Sequence, residues 1–205
     1  MTVLLQFNQV ALDKDNTLSF SLTAGETRVL KLATPEAKLT FIDLVMGELA
    51  PLAGEILLSG QLPEMSKRGS IGWVPAAGGL ISNLKTWENI TLPLWYHSMV
   101  QGDATEETVA RWLQELQLDQ QEWEKFMASP VARLNPWERK MAGLLRGLLL
   151  APKLLVVDAG VFEDVDAARA QIWITVLEKF VREAQDRAVL AVSYTETALP
   201  WKFIE

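Results

Sequence analysis

Cysteine is absent from this chain, which excludes a disulfide framework and any thiolate metal site. Histidine occurs once, at His97 after Leu94-Trp95-Tyr96, and a lone imidazole there reads as packing or surface, not as a ligand or base. No metal site is expected. Clusters of lysine and arginine are also missing, and the formal net charge is −7. Both facts argue against nucleic acid or an anionic membrane surface as a nonspecific partner. No apolar run is long enough to span a bilayer; the richest, 144–151, is interrupted by Arg146. The start lacks the basic segment, apolar stretch and small-residue cleavage site of a secretory signal. The expectation is a soluble, cytoplasmic protein without direct membrane insertion, reaching a membrane only through a partner.

What is present suffices for one large domain, with 205 residues of which 49% are hydrophobic. Val3–Phe7 and Leu18–Leu22 are strand candidates around the turn Asp13-Lys14-Asp15-Asn16, and Gly54–Leu58 and Ile71–Val74 read as further strands. From about Thr86 to Ala132 the chain reads as helical, with Val109, Trp112, Leu113 and Leu116 on one face and Thr105 as N-cap. An α/β alternation follows: a helix stripe at Met141, Leu144, Leu145, Leu148 and Leu149; a buried strand Leu154–Val157 ending in Asp158; a helix face of Trp173, Leu177, Phe180 and Ala184; and a strand Ala188–Val192. Strand–helix–strand spacing of this kind predicts a parallel sheet.

Glycine is missing where it matters most. Gly25-Glu26 leads into the strand-like Thr27–Leu32, and Ile42, Val45, Met46 and Leu49 form an apolar helical stripe after it. That frame suits the phosphate-binding pattern G-x-x-x-x-G-K-[ST]. The segment between reads Leu32-Ala33-Thr34-Pro35-Glu36-Ala37-Lys38-Leu39-Thr40, which keeps only the lysine, Lys38, with Thr40 two residues on. Phosphate binding needs inward-turned N–H groups in conformations that a β-carbon disfavours. Pro35 removes one N–H outright, Glu36 adds a repelling carboxylate, and Leu39 stands where a hydroxyl would hold Mg²⁺.

In order and spacing, these pieces resemble the nucleotide-binding domain of ABC transporters across nearly the whole chain. Besides the loop frame, the resemblance rests on Gly47, Pro51 and Gly54-Glu55-Ile56; on Ile71–Pro75; on Leu84-Lys85-Thr86-Trp87-Glu88-Asn89-Ile90 with Leu92-Pro93-Leu94; and on Arg139, Arg146 and Pro152–Asp158. It implies an α/β fold with a P-loop NTPase-like ABC ATPase core and a mostly parallel sheet, an N-terminal antiparallel β layer and a helical subdomain. On this reading residues 1–82 and 133–205 form the core and 83–132 the subdomain.

Carried over position by position, the resemblance implies lost function. Ala76 stands at the Q-loop glutamine, Ala159 at the catalytic glutamate and Tyr194 at the switch histidine. The signature L-S-G-G-Q reads Leu134-Asn135-Pro136-Trp137-Glu138, and Asp166 follows Val165 with the D-loop one residue out of register. No aromatic counterpart for stacking on adenine occurs around Asp13. Lys38, Thr40 and Asp158 remain as relics of a nucleotide site. Trp137 reads as filling the space ATP would occupy, with a partner contact as the alternative.

The resemblance therefore implies a catalytically inactive homologue without a cofactor, a scaffold or regulator of a membrane transport complex. Its partner would be a transmembrane subunit docked near Trp73, Ala76, Leu80 and Trp87, with a homodimer also in view. The alternative is a slow or nucleotide-sensing ATPase using ATP and Mg²⁺, energising import or lipid transport as the Glu88–Leu94 segment suggests. A third reading is a fold redeployed for dimerisation or another ligand. Few residues follow Tyr194, so the sheet edge there is expected to be uncovered.

Overall fold

The computed structural model describes residues 2–14, 16–62, 69–97 and 102–204. Its first sheet is antiparallel. β1 (Val3–Ala11) lies between β2 (Thr17–Thr23) and β4 (Glu55–Leu58). Leu18, Phe20 and Leu22 alternate with Ser19 and Ser21, which sends the apolar set of β2 to one face. On that face Phe20 stacks on Phe7 at 4.8 Å, and Phe7 on Phe41 at 5.2 Å. β1 runs beyond the expected Val3–Phe7 because it passes through a bulge: Gln9 takes φ 51, and its N–H and side-chain amide both donate to Ser19 Oγ.

The second sheet is parallel. β3 (Thr27–Lys31), β5 (Ile71–Val74), β6 (Leu154–Asp158), β7 (Ala188–Ser193) and β8 (Lys202–Phe203) lie in the order β5-β6-β7-β3-β8. Every residue of β6 and β7 is buried, as their unbroken apolar runs require of strands covered on both faces. The faces divide cleanly. Leu154 and Val156 of β6 join α1 (Pro35–Met46) and the antiparallel sheet in one core, while Leu155 and Val157 join the helices of the opposite side in another. The expected bare edge beyond β3 is corrected: β8 pairs there, Arg28 with Lys202 and Val29 with Phe203.

Opposite α1 lie α5 (Pro136–Leu149) and α6 (Ala167–Arg182). Between β5 and α5 the chain forms α2 (Thr86–Tyr96), α3 (Asp103–Glu115) and α4 (Gln120–Ala128), which share the core of α5 through Ile90, Trp112, Leu113 and Phe126. Part of the stretch read as continuously helical, 98–101, falls outside the described residues. Trp112 and Trp173 are buried in this core.

Three element-end expectations are corrected. Gly102 occupies the N-cap of α3, and Thr105 lies buried one turn in. Leu49 falls beyond the C-cap Gly47 of α1 and is exposed, the buried stripe instead gaining Phe41 and Leu44. Ala184 follows the end of α6. Glycine ends α1 because its φ of 74 suits a left-handed cap that returns its N–H to the last turn.

Candidate functional site

Parallel strands place their C-terminal ends on one rim, where α/β sheets form sites. Lys38 follows β3, Ala76 follows β5, Asp158 ends β6 and Tyr194 follows β7. Lys38 Nζ lies 2.6 Å from Asp158 Oδ2, with both side chains about nine-tenths buried. The ring of Tyr194 covers the same ammonium at 5.0 Å from its centroid. Asp158 Oδ1 accepts the Gly160 N–H at 2.9 Å. A β-carbon on Gly160 would lie 3.0 Å from that of Ala76, so Ala76 closes the neighbouring side. Ala159 is buried in the short 3-10 turn 159–162. The rim thus joins Lys38, Asp158 and Tyr194 directly and keeps Ala76 and Ala159 beside them. Thr40 lies within α1, half-buried, beyond the loop.

The loop from 32 to 34 is short because the helix begins early. Pro35 is the first residue of α1, suited to that position by its fixed φ. Thr34 is the N-cap: its Oγ1 accepts the Ala37 N–H at 3.1 Å and its carbonyl accepts the Lys38 N–H at 3.1 Å. Expected as part of an open loop, Pro35, Glu36 and Ala37 are instead helical. Glu36 sits in the first turn, where a carboxylate favours the helix dipole. The Ala37 and Lys38 N–H groups are thus both engaged by Thr34 at the helix start. Leu39 follows, 60% exposed, where a metal-binding hydroxyl would stand.

The signature positions repeat this construction. Asn135 is the N-cap of α5 and Pro136 its first residue. Asn135 Oδ1 accepts the Glu138 N–H at 3.0 Å, and Glu138 Oε2 accepts the Asn135 N–H at 2.8 Å. Glu138 is the returning half of a capping box. Trp137 is half-buried with the Arg169 guanidinium over its ring at 4.6 Å. Among the described residues, no hydrogen bond or ion pair links 135–138 to Lys38 or Asp158.

Several positioning contacts escaped sequence reasoning. Lys140 Nζ donates to the carbonyls of Gly160 and Glu163, tying α5 to the turn after β6. Arg146 donates to the Gly79 and Gly78 carbonyls at 2.8 and 2.9 Å, and burial holds its pKa below the ordinary value. Gly78 has φ +81, and a β-carbon on it would meet the Arg139 carbonyl at 2.1 Å, so only glycine lets α5 approach the loop after β5. Asn89, fully buried, exchanges hydrogen bonds with the Ile81 backbone. Asp166 caps α6, and its carboxyl is held below the usual range by the Arg169 N–H.

The four residues expected to line one docking groove take these places. Leu80 and Trp87 pack against the core of α5, Trp73 packs against the opposite core with Ile71, and Ala76 lies at the rim. No helix among the described residues is long and apolar enough to cross a membrane, and no cluster able to hold a metal occurs among them.

Comparison with known proteins agrees with this architecture. Residues 15–160 match the family described as ABC transporter. The chain is 29% identical over 170 residues to the molybdate/tungstate import ATP-binding protein WtpC of Archaeoglobus fulgidus, a match covering 81% of this chain and 66% of that protein. It is 26% identical over 192 residues to the intermembrane phospholipid transport system ATP-binding protein MlaF of Escherichia coli, covering 88% and 68%. This chain thus spans about two thirds of the length of these curated relatives. Among solved structures it resembles cbiO1 of Clostridium perfringens, part of the ABC transporter complex cbiONQ. That likeness has a TM-score of 0.73 at 16% identity, over 94% of this chain and 79% of that one. A further likeness is to the dimeric ATP-binding cassette MJ0796 bound to ADP and Pi, with a TM-score of 0.71 at 17% identity over 93% and 88%. The parallel sheet, antiparallel layer and flanking helices are those of the ABC ATPase fold. The chain belongs to the ABC transporter family.

Proposed function

We propose that this chain is a nucleotide-free member of an ABC transport complex, which holds a membrane-embedded partner without hydrolysing ATP. One observation carries this reading: both helix starts that the family directs at phosphate are capped by the chain's own side chains, Thr34 and Asn135, each followed by proline. The buried Lys38–Asp158 pair supports it, because both charges are satisfied internally. Losing phosphate donors, metal ligand and base together leaves no term to lower the barrier, when a single such loss already costs on the order of 10²–10³ in rate.

ATP and Mg²⁺ do not suit the residues present, and no step is assigned to them. The partner in this reading is a transmembrane subunit. Its docking surface centres on Leu80 and Trp87, beside a cavity of about 320 Å³ that Trp87 lines with Val109, Leu113, Trp123 and Met127. The names of the two relatives support import or lipid transport as the process served.

Isolation of the tagged chain from gently solubilised membranes tests this reading. A stoichiometric membrane subunit is expected, retained by the paired variant Lys38→Met/Asp158→Leu and lost in Trp87→Lys. Recovery of free chain alone, or Mg²⁺-dependent ATP turnover abolished by Lys38→Ala, contradicts it.

A further inference from the structure

β2 is the edge of the antiparallel sheet, paired only with β1 among the described strands. An edge strand offers unpaired backbone groups, and proteins ordinarily blunt such edges with charge, proline or shortness. β2 has none of these. It is seven residues long, and neither it nor β1 contains a charged residue or proline; the one charge within the sheet's strands is Glu55, on the far edge. Its sequence, Thr17-Leu18-Ser19-Phe20-Ser21-Leu22-Thr23, reads identically in both directions about Phe20. Leu18 and Phe20 are only half-buried, although their side chains join the core. The bulge that would twist an edge away from pairing lies on β1, where Ser19 already satisfies the Gln9 N–H.

We propose that β2 pairs antiparallel with β2 of a second copy, about a two-fold axis through Phe20. In that register Phe20 faces Phe20, Leu18 faces Leu22, and Ser19 faces Ser21. Thr17 faces Thr23. Every apolar residue meets an apolar one, and every hydroxyl a hydroxyl, the kind of cross-strand pairs that stabilise sheets. The remaining exposed parts of Leu18 and Phe20 are covered by their counterparts. The contact is isologous, so it closes at two copies and does not propagate into a fibre. β2 itself carries no charge, and Glu26, which accepts the Thr23 N–H at its end, is paired with Arg28. The whole copies repel through their net −7, so added salt leaves the dimer intact or tightens it. This pairing stands independently of whether the chain binds nucleotide.

Sedimentation of the full chain across concentration tests it. A reversible dimer is expected, of modest affinity as a small interface implies. Ser21→Lys places two lysines at diagonal positions across the axis, about 7–8 Å apart along the strands, replaces both Ser19–Ser21 pairs, and is expected to weaken the dimer about fivefold. Leu52→Lys, at an 84% exposed position elsewhere, should leave it unchanged. Register is read separately, since the chain has no cysteine of its own. An equimolar mixture of Ser19→Cys and Ser21→Cys chains should form a mixed disulfide with diamide far more than either chain alone. A monomer at every concentration up to about 1 mM, a dimer indifferent to Ser21→Lys, or equal crosslinking in unmixed chains overturns the proposal.

Discussion

Lys38 is a charged side chain that lies inside the fold. Its ammonium is buried beside Asp158 and beneath Tyr194, so its pairing serves the fold directly. Removing one member of such a pair leaves an uncompensated buried charge, whereas replacing both by apolar groups is often neutral or stabilising. Asp158→Ala is therefore expected to cost about 3–5 kcal/mol in urea denaturation. Lys38→Met/Asp158→Leu should fall near wild type or above it, and equal losses in the two variants would contradict this. Glu26 makes a second prediction. Burial alone would raise its carboxyl, but bonds from Arg28 and the Thr23 N–H outweigh that and hold it below its ordinary 4.5. A depressed carboxyl contributes stability that is present above its unfolded pKa and lost as pH falls through the folded one. The loss of stability below pH 4.5 should be shallower in Glu26→Gln than in wild type, measured as urea midpoints on descending pH.

At the scale of elements, two helix starts in this chain are built alike. Thr34-Pro35 and Asn135-Pro136 build the same device twice, a side-chain cap followed by proline at the first helical position. Thr34→Ala and Asn135→Ala should each cost about 1 kcal/mol of stability. They should act additively, since no hydrogen bond or ion pair joins 135–138 to the Lys38–Asp158 pair among the described residues, and strong coupling would count against two independent caps. Much of this was legible in advance. The buried strands 154–158 and 188–193 announce themselves as unbroken apolar runs, and the stripes of α5 and α6 by their period. Asn135-Pro136-Trp137-Glu138 also spells a capping box, a local signal that its likeness to a glycine-rich signature obscures. Other features had no local signal. Arg146 reaching the Gly78 and Gly79 carbonyls, and Trp73 packing on the core opposite Trp87, depend on how distant segments meet across the sheet. Leu49 and Ala184 continue a helical period that the chain abandons at Gly47 and Glu183, because periodicity does not show where a helix stops.

At the scale of the whole molecule, the ABC ATPase fold carries a rim whose charged residues, Lys38 and Asp158, pair with each other. Every expected site position along β3, β5, β6 and β7 is filled by a residue that packs, caps or pairs internally. The sheet keeps its parallel order to a final short strand, and the proposals use faces away from the rim: the helices α2 to α4 for a membrane partner, and β2 for a second copy. On the proposed reading, the fold serves as a shape on which other contacts are built. Calorimetric titration of the purified chain with ATP and Mg²⁺ tests this most directly. No binding heat up to about 1 mM nucleotide is the expected result. Saturable binding in the micromolar range would mean that the caps at Thr34 and Asn135 open for phosphate, and would contradict a nucleotide-free role.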